Sequence, residues 1–219
     1  MALFNGREQA GKKLAEHFRY IAPQLHDPII LGIPRGGIPI GAALAEELGC
    51  PLDVIVLRKL PIPSDPEAGF GAVTLDKVTT FNEPLRSYLN LPHEMVDNII
   101  ETVYEEVLRR NDQYRQGRPH PILEDRTVII TDDGLASGYT MLAAVKYARR
   151  KGADQVVASA PVAHGNAYEL LRRHADRVEF LHIDTAAVFA VASFYEEFPE
   201  MNDEQVMDLL EKKFRSQHS

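Results

Sequence analysis

Apolar positions along the chain follow two alternating rhythms. Short continuous apolar runs occur at Pro28–Ile33 (PIILGI), Leu52–Leu57 (LDVIVL), Val128–Thr131, Gln155–Ser159 and Val178–Ile183. Runs of this length predict strands buried on both faces. Between them, apolar residues recur every three or four positions. Ala10, Leu14, Phe18 and Ile21 predict a helix over Gly6–Ile21, and an Ala-rich helix follows Gly36-Gly37, runs to Leu48 and stops at Gly49. The longest predicted helix covers His93–Tyr114, with Val96, Ile99, Ile100, Val103 and Val107 on its apolar stripe. Two further helices are predicted at about 139–150 and 164–174. Repeated strand–helix–strand order implies an α/β fold with a parallel sheet.

Two segments break the rhythm. Residues 60–92 carry Pro61, Pro63, Pro66, Pro84 and Pro92 with Gly69 and Gly71, and only brief extended pieces at Ala72–Leu75 and Val78–Phe81. An insertion of this kind inside a domain is usually functional or mobile, so a hairpin or flexible lid is expected. Downstream of the last strand, Ala186–Phe198 is apolar and aromatic, and a final helix starts at Asn202. Asn202 and Gln205 match a capping box, and Val206, Leu209, Leu210 and Phe214 mark the buried face.

The 219 residues suit one domain, with a core of about 22–183, the insertion at about 60–92 and a tail at about 184–219. A formal charge of −8 argues against a nucleic-acid binder, and the pairs Arg109/Arg110, Arg149/Arg150 and Arg172/Arg173 fit solvated helix faces better than a phosphate-tracking stripe. The lone Cys50 excludes an internal disulfide and suits a reducing compartment. No N-terminal apolar leader and no run near the ~20 apolar residues of a membrane helix is present, so a cytoplasmic location with no membrane partner is expected.

The densest chemistry lies in Val128–Thr140, VIITDDGLASGYT. A buried strand ends in Asp132 and Asp133, then Gly134, Ala136, Ser137 and Gly138 form a small loop, and a helix opens at Tyr139 and Thr140. Free amides and the positive helix end there make a site for a phosphate. The two acids add acceptors for sugar hydroxyls or for a hydrated Mg²⁺. A phosphorylated ribose is the ligand this combination suggests. GIPRGGIPIG, Gly32–Gly41, follows the first strand, where Gly36 and Gly37 permit close backbone approach to an anion and Arg35 can donate charge-assisted bonds. Arg58-Lys59 follows the second strand, at the carboxyl edge where ligands of parallel sheets bind. Gly69-Phe70-Gly71 is too short for a dinucleotide fingerprint, and no P-loop is present. His93-Glu94 lacks the second histidine of a zincin, and Ser137 lies outside any GxSxG elbow.

The segment Val128–Ile130, Asp132, Asp133 and Ala136–Thr140 resembles the PRPP-binding signature of the type I phosphoribosyltransferases. Thr131 and Ser137 stand where that family often has Val and Thr; one is isosteric and the other keeps the hydroxyl. The likeness extends from about Gly6 to Leu210 through PRGGIPIG, LRKLPIP, RRNDQYRQGRP, APVAH and FAVASFYEEF, and is nearest to bacterial predicted phosphoribosyltransferases of unassigned acceptor. It implies a Rossmann-like parallel sheet with a flexible lid and a C-terminal hood. It also implies a non-proline cis peptide at or near Pro34–Arg35, and a homodimer.

The resemblance assigns Gly134, Ala136, Ser137, Gly138, Tyr139 and Thr140 to the 5-phosphate of PRPP, and Arg35, Gly36, Gly37, Arg58 and Lys59 to its pyrophosphate. Asp132, Asp133, Arg58 and Lys59 are the candidate catalytic set. Mg²⁺ would be held mainly by PRPP and water, with Asp132 and Asp133 as further candidates. His164, Phe189, Phe194 and Tyr195 are candidate contacts to a nucleobase-like acceptor, although the aromatics equally suit packing of the hood. Arg110, Tyr114, Arg115 and Arg118 could orient the insertion, join a second subunit, or simply face solvent. The implied activity is transfer of phosphoribosyl to a nitrogenous base. A PRPP- or nucleotide-binding regulator without turnover is the alternative, and a hydrolase or phosphorylase of ribose phosphates is a third possibility.

Overall fold

A computed structural model describes residues 2–217. Its strands in chain order are β1 (Ile29–Gly32), β2 (Leu52–Val54), β3 (Leu57–Ile62), β4 (Asp65–Thr74), β5 (Thr79–Phe81), β6 (Thr127–Thr131), β7 (Gln155–His164) and β8 (Arg177–Asp184). The helices are α1 (Arg7–Phe18), α2 (Gly37–Leu48), α3 (Glu83–Leu89), α4 (His93–Arg115), α5 (Tyr139–Arg150), α6 (Gly165–Leu171) and α7 (Asp203–Gln217).

Five strands pair in parallel in the order β2-β1-β6-β7-β8. The apolar runs are continuous because both faces are covered. Ile30, Ile129 and Val157 face one core, with α1 and α2, while Ile29, Leu31, Val128, Ile130, Val156 and Ala158 face the other, under α5. Register places Gly32 of β1 opposite Thr131 of β6, and Thr131 opposite Ser159 of β7. From β1 the chain moves outward to β2, and later fills the opposite side through β6, β7 and β8. The loops leaving β1 and β6 therefore part at a topological switch point, where open α/β sheets hold their ligands.

Of the two expected forms, hairpin or flexible lid, the insertion takes the hairpin and extends it. β3, β4 and β5 form a three-stranded antiparallel sheet, followed by α3, which the sequence pattern did not suggest. Leu60, Phe70, Ala72 and Val73 are fully buried, so the middle of this sheet joins the core. Its prolines are accommodated where pairing is irregular, since the β3–β4 register shifts on both sides of Pro61. The expected 52–57 strand also divides. β2 ends at Val54, and Arg58 and Lys59 belong to β3, paired with Val73 and Ala72.

The tail helix is capped as its pattern predicts. Asn202 N donates to Gln205 Oε1 (3.0 Å) and Gln205 N to Asn202 Oδ1 (2.9 Å). The N-terminus joins the tail. Leu3 N donates to Phe194 O (2.9 Å), Glu196 N to Phe4 O (2.8 Å) and Glu197 N to Asn5 O (2.8 Å). Among the described residues no helix is long and apolar enough to cross a membrane.

Candidate active site

The β6–α5 loop carries the backbone cradle that its small residues imply. Gly138 adopts φ +79°, a conformation that suits glycine, and a Cβ there would lie 3.0 Å from Ala167 Cβ. Leu142 is the first amide of α5 with a protein acceptor, Gly138 O at 2.8 Å. The amides of residues 136–141 donate to no protein acceptor among the described residues. Leu135 N to Val162 O (3.0 Å) and His164 N to Leu135 O (2.8 Å) tie the loop to β7. The cradle borders a cavity of about 410 Å³ lined by residues 134–141, Asp132, Lys59 and Asn82. Asn82, which sequence reasoning did not single out, also caps α3 by accepting from Leu85 N (3.3 Å).

The two acids differ in surroundings. Asp132 borders the cavity, and its Oδ1 accepts from Asp133 N (2.8 Å). Burial and the neighbouring Asp133 charge push the Asp132 carboxyl well above its ordinary range. Asp133 Oδ2 instead accepts from Arg7 Nε at 2.7 Å, and Asp133 O accepts from the Tyr195 hydroxyl at 2.6 Å. Arg7 had no signal in the sequence beyond its place at a helix start.

The loop after β1 lies directly against this strand end, and the Pro34–Arg35 peptide is cis. A Cβ on Gly36 would collide with the Asp133 carboxylate; one on Gly37 would strike Thr131 O and lie 3.0 Å from Asp132 Cα. Their first structural use is thus contact with the acid-bearing strand.

Strand alternation separates Arg58 from Lys59. Lys59 borders the cradle cavity, whereas Arg58 Nη1 donates to Glu106 Oε1 on α4 (2.9 Å). Glu106 also takes Arg110 Nε (2.8 Å) and Arg109 Nε (2.6 Å), and these bonds, Arg109 first, hold its carboxyl down to about 2. Burial, with Arg110 and Arg35 nearby, lowers the Arg58 guanidinium below its usual value. Arg35 Nη1 lies 3.8 Å from Asp203 Oδ1, which also accepts from the Tyr114 hydroxyl (2.5 Å). Arg110 and Tyr114 therefore belong to a cationic cluster with Arg35 and Arg58. Arg115 does not: it is buried against Asp53 (3.2 Å) and Val54 O (3.2 Å). Arg118 caps the end of α4, donating to Tyr114 O (2.6 Å) and Arg115 O (3.0 Å).

A family model described as "Phosphoribosyl transferase domain" matches residues 5–196, covering both loops, the insertion and the acid pair. The chain belongs to the phosphoribosyl transferase family. Two curated relatives from Mycobacterium tuberculosis strains, each named "Putative phosphoribosyl transferase", are 35% identical over 215 residues. These alignments cover 98% of this chain and 48% of each relative, so the chain spans about half the length of the curated relatives it matches. The crystal structure of TT1426 from Thermus thermophilus superimposes with a TM-score of 0.79 at 32% identity, over 97% of this chain and 99% of that one.

Against this phosphoribosyl transferase framework, two of the acceptor candidates are buried. Tyr195 is 5% exposed, with Phe4 at 5.5 Å and Phe198 at 4.9 Å between ring centres. Of the two expectations for Tyr195, stacking on an acceptor or packing of the tail, that packing and its bond to Asp133 O match the second, tying the tail to the loop after β6. Phe194 is likewise buried. His164 caps α6, accepting from Asn166 N (3.2 Å), and its Nε2 lies 3.2 Å from Ala186 O. Its ring meets Phe189 edge-on at 5.5 Å. Phe189 is partly buried, so of the three aromatic candidates it is the one that keeps accessible surface.

Among the described residues no three acidic, His or Cys side chains form a metal cage. Mg²⁺ commonly binds through one or two carboxylates plus substrate phosphate oxygens. A crowded Asp132 carboxyl beside open backbone amides fits that mode.

Proposed function

We propose that the chain transfers the 5-phosphoribosyl group of PRPP to a nitrogenous base, a purine, pyrimidine or related acceptor, and releases pyrophosphate. The observation that carries this reading is the run of amides at residues 136–141 that donate to no acceptor among the described residues, beside Asp132 and Lys59 in one cavity. Those amides would grip the 5-phosphate, with Lys59 opposite supplying charge. Asp132 and Asp133 would bind ribose hydroxyls, and Asp133 would also face the developing positive charge of the ring.

The reaction breaks the C1–O bond to pyrophosphate, whose oxygen keeps the electron pair, and forms C1–N to the base. The acceptor nitrogen then loses its proton to water. Its transition state has oxocarbenium character, so the protein's work is electrostatic. Arg35, Arg58 and Arg110 would neutralise the departing pyrophosphate. Mg²⁺, held by Asp132 together with phosphate oxygens, would supply further charge neutralisation when bound.

The test is base-dependent release of pyrophosphate from PRPP and Mg²⁺ across a panel of purines, pyrimidines and related heterocycles. One base should give turnover. PRPP binding with no turnover on any base would favour a regulator, and base-independent release would favour a hydrolase.

A further inference from the structure

Asp133 is gripped on three sides by parts of the chain that are far apart in sequence. Arg7 at the start of α1 donates to Asp133 Oδ2 at 2.7 Å, and this side chain is only 12% exposed. The same guanidinium donates through Nη1 to Pro199 O (2.7 Å) and lies 3.7 Å from the centre of the Phe198 ring. Tyr195, whose ring meets those of Phe4 and Phe198 at tilted angles, donates its hydroxyl to Asp133 O at 2.6 Å. From the opposite side the Gly36 backbone presses on the same carboxylate, leaving no space for a Cβ. Arg7 is thus the shared member of two contacts: one to the acid at the end of β6, the other to the tail residues Phe198 and Pro199. A planar, fully charged guanidinium can hold a carboxylate, a carbonyl and a ring face at once. A lysine has one charged point and no stacking plane.

We propose that Arg7 is a positioning residue that couples the tail, residues 194–199, to the ribose-binding end of β6 by fixing the Asp133 carboxylate. The proposal rests on the reading of Asp132 and Asp133 as ribose contacts. Holding Asp133 from the tail makes its aim depend on where the tail sits. Binding of PRPP at the acids would in turn tighten the tail. Such reciprocity follows from any coupling between two sites.

The test uses the full chain, with PRPP and Mg²⁺ as the probe, and two readouts. In calorimetry, Arg7→Gln should weaken PRPP binding about tenfold, since a misaimed group costs on the order of ten- to a hundredfold. Arg7→Lys should recover part of that loss. In the Asp133→Asn background, Arg7→Gln should have little further effect, because partners in one contact are not additive. In hydrogen exchange, PRPP should slow the amides of Glu196 and Glu197, which bond to Phe4 O and Asn5 O. That slowing should vanish in Arg7→Gln at saturating PRPP.

Full additivity of the two substitutions, or tail amides that slow equally in Arg7→Gln, would overturn the coupling. A merely packing role for Arg7 would lower thermal stability and leave both readouts unmoved. Wild-type protein that fails to bind PRPP would overturn the proposed function instead. Exchange without ligand then judges the contact itself: Arg7→Gln should speed exchange at the Leu135 amide and at Glu196 together, and an effect on only one would refute it.

Discussion

On one side of the site, residues 136–141 offer backbone amides with no competing acceptor among the described residues. On the other, Arg35, Arg58 and Arg110 offer guanidiniums already engaged by Glu106 and Asp203. The first side is local, rigid and needs no side-chain ordering when an anion arrives. The second is assembled from the β1 loop, β3, α4 and α7, and an anion entering it must compete with the carboxylates. The first should therefore set affinity for the sugar phosphate, and the second the response to the leaving group.

The largest effect is expected at the β1 loop. Gly37→Ala brings a Cβ against Thr131 O and Asp132 Cα, both backbone atoms that cannot swing away. A loss of ~2–3 kcal/mol in urea unfolding is expected for such overpacking, and an unchanged midpoint would show that the loop can withdraw. Next in size, Asp132→Asn should cost PRPP binding about tenfold or more, the loss of charged hydrogen bonds, with the unfolding midpoint retained. Unaltered binding would remove Asp132 from the sugar site.

The two neighbouring cations sharpen the contrast. Lys59→Ala should weaken ribose 5-phosphate binding and Arg58→Ala pyrophosphate binding, each roughly three- to tenfold. Equal effects of both substitutions on both ligands would show that strand alternation does not sort them. The smallest effect concerns Glu106, whose carboxyl is held at about 2 against an ordinary 4.5. The folded state thus gains stability from Glu106 above pH 4.5 and loses it as pH falls toward 2. Glu106→Gln should destabilise the protein at pH 7 by about 1 kcal/mol or less, because the pair is partly solvated. The two proteins should converge near pH 2, and a constant gap between their acid-unfolding curves would contradict the assignment.

The parallel core was legible because each strand is a buried run and each helix keeps its period. The cradle was legible because strand, loop and helix are contiguous in sequence. The insertion was legible as a hairpin but not in its extent: Pro61 suggests disruption, yet the bulged β3–β4 pairing absorbs it and carries the sheet through. Arg7 and Asp203 left no trace in the sequence, since each reaches the site from across the fold. Arg110 and Tyr114 stood out only as part of a longer motif. Tyr195 was visible as an aromatic, but nothing local indicates that both its faces would be covered.

Amide chemical shifts offer the most direct test of the division between a backbone-built and a side-chain-built side. With isotope-labelled protein and Mg²⁺, adding ribose 5-phosphate should move the amides of residues 136–141 strongly and leave the Arg58 and Arg110 side-chain signals nearly still, while pyrophosphate should do the reverse. Ribose 5-phosphate that leaves residues 136–141 unmoved and perturbs the arginine cluster would contradict the account.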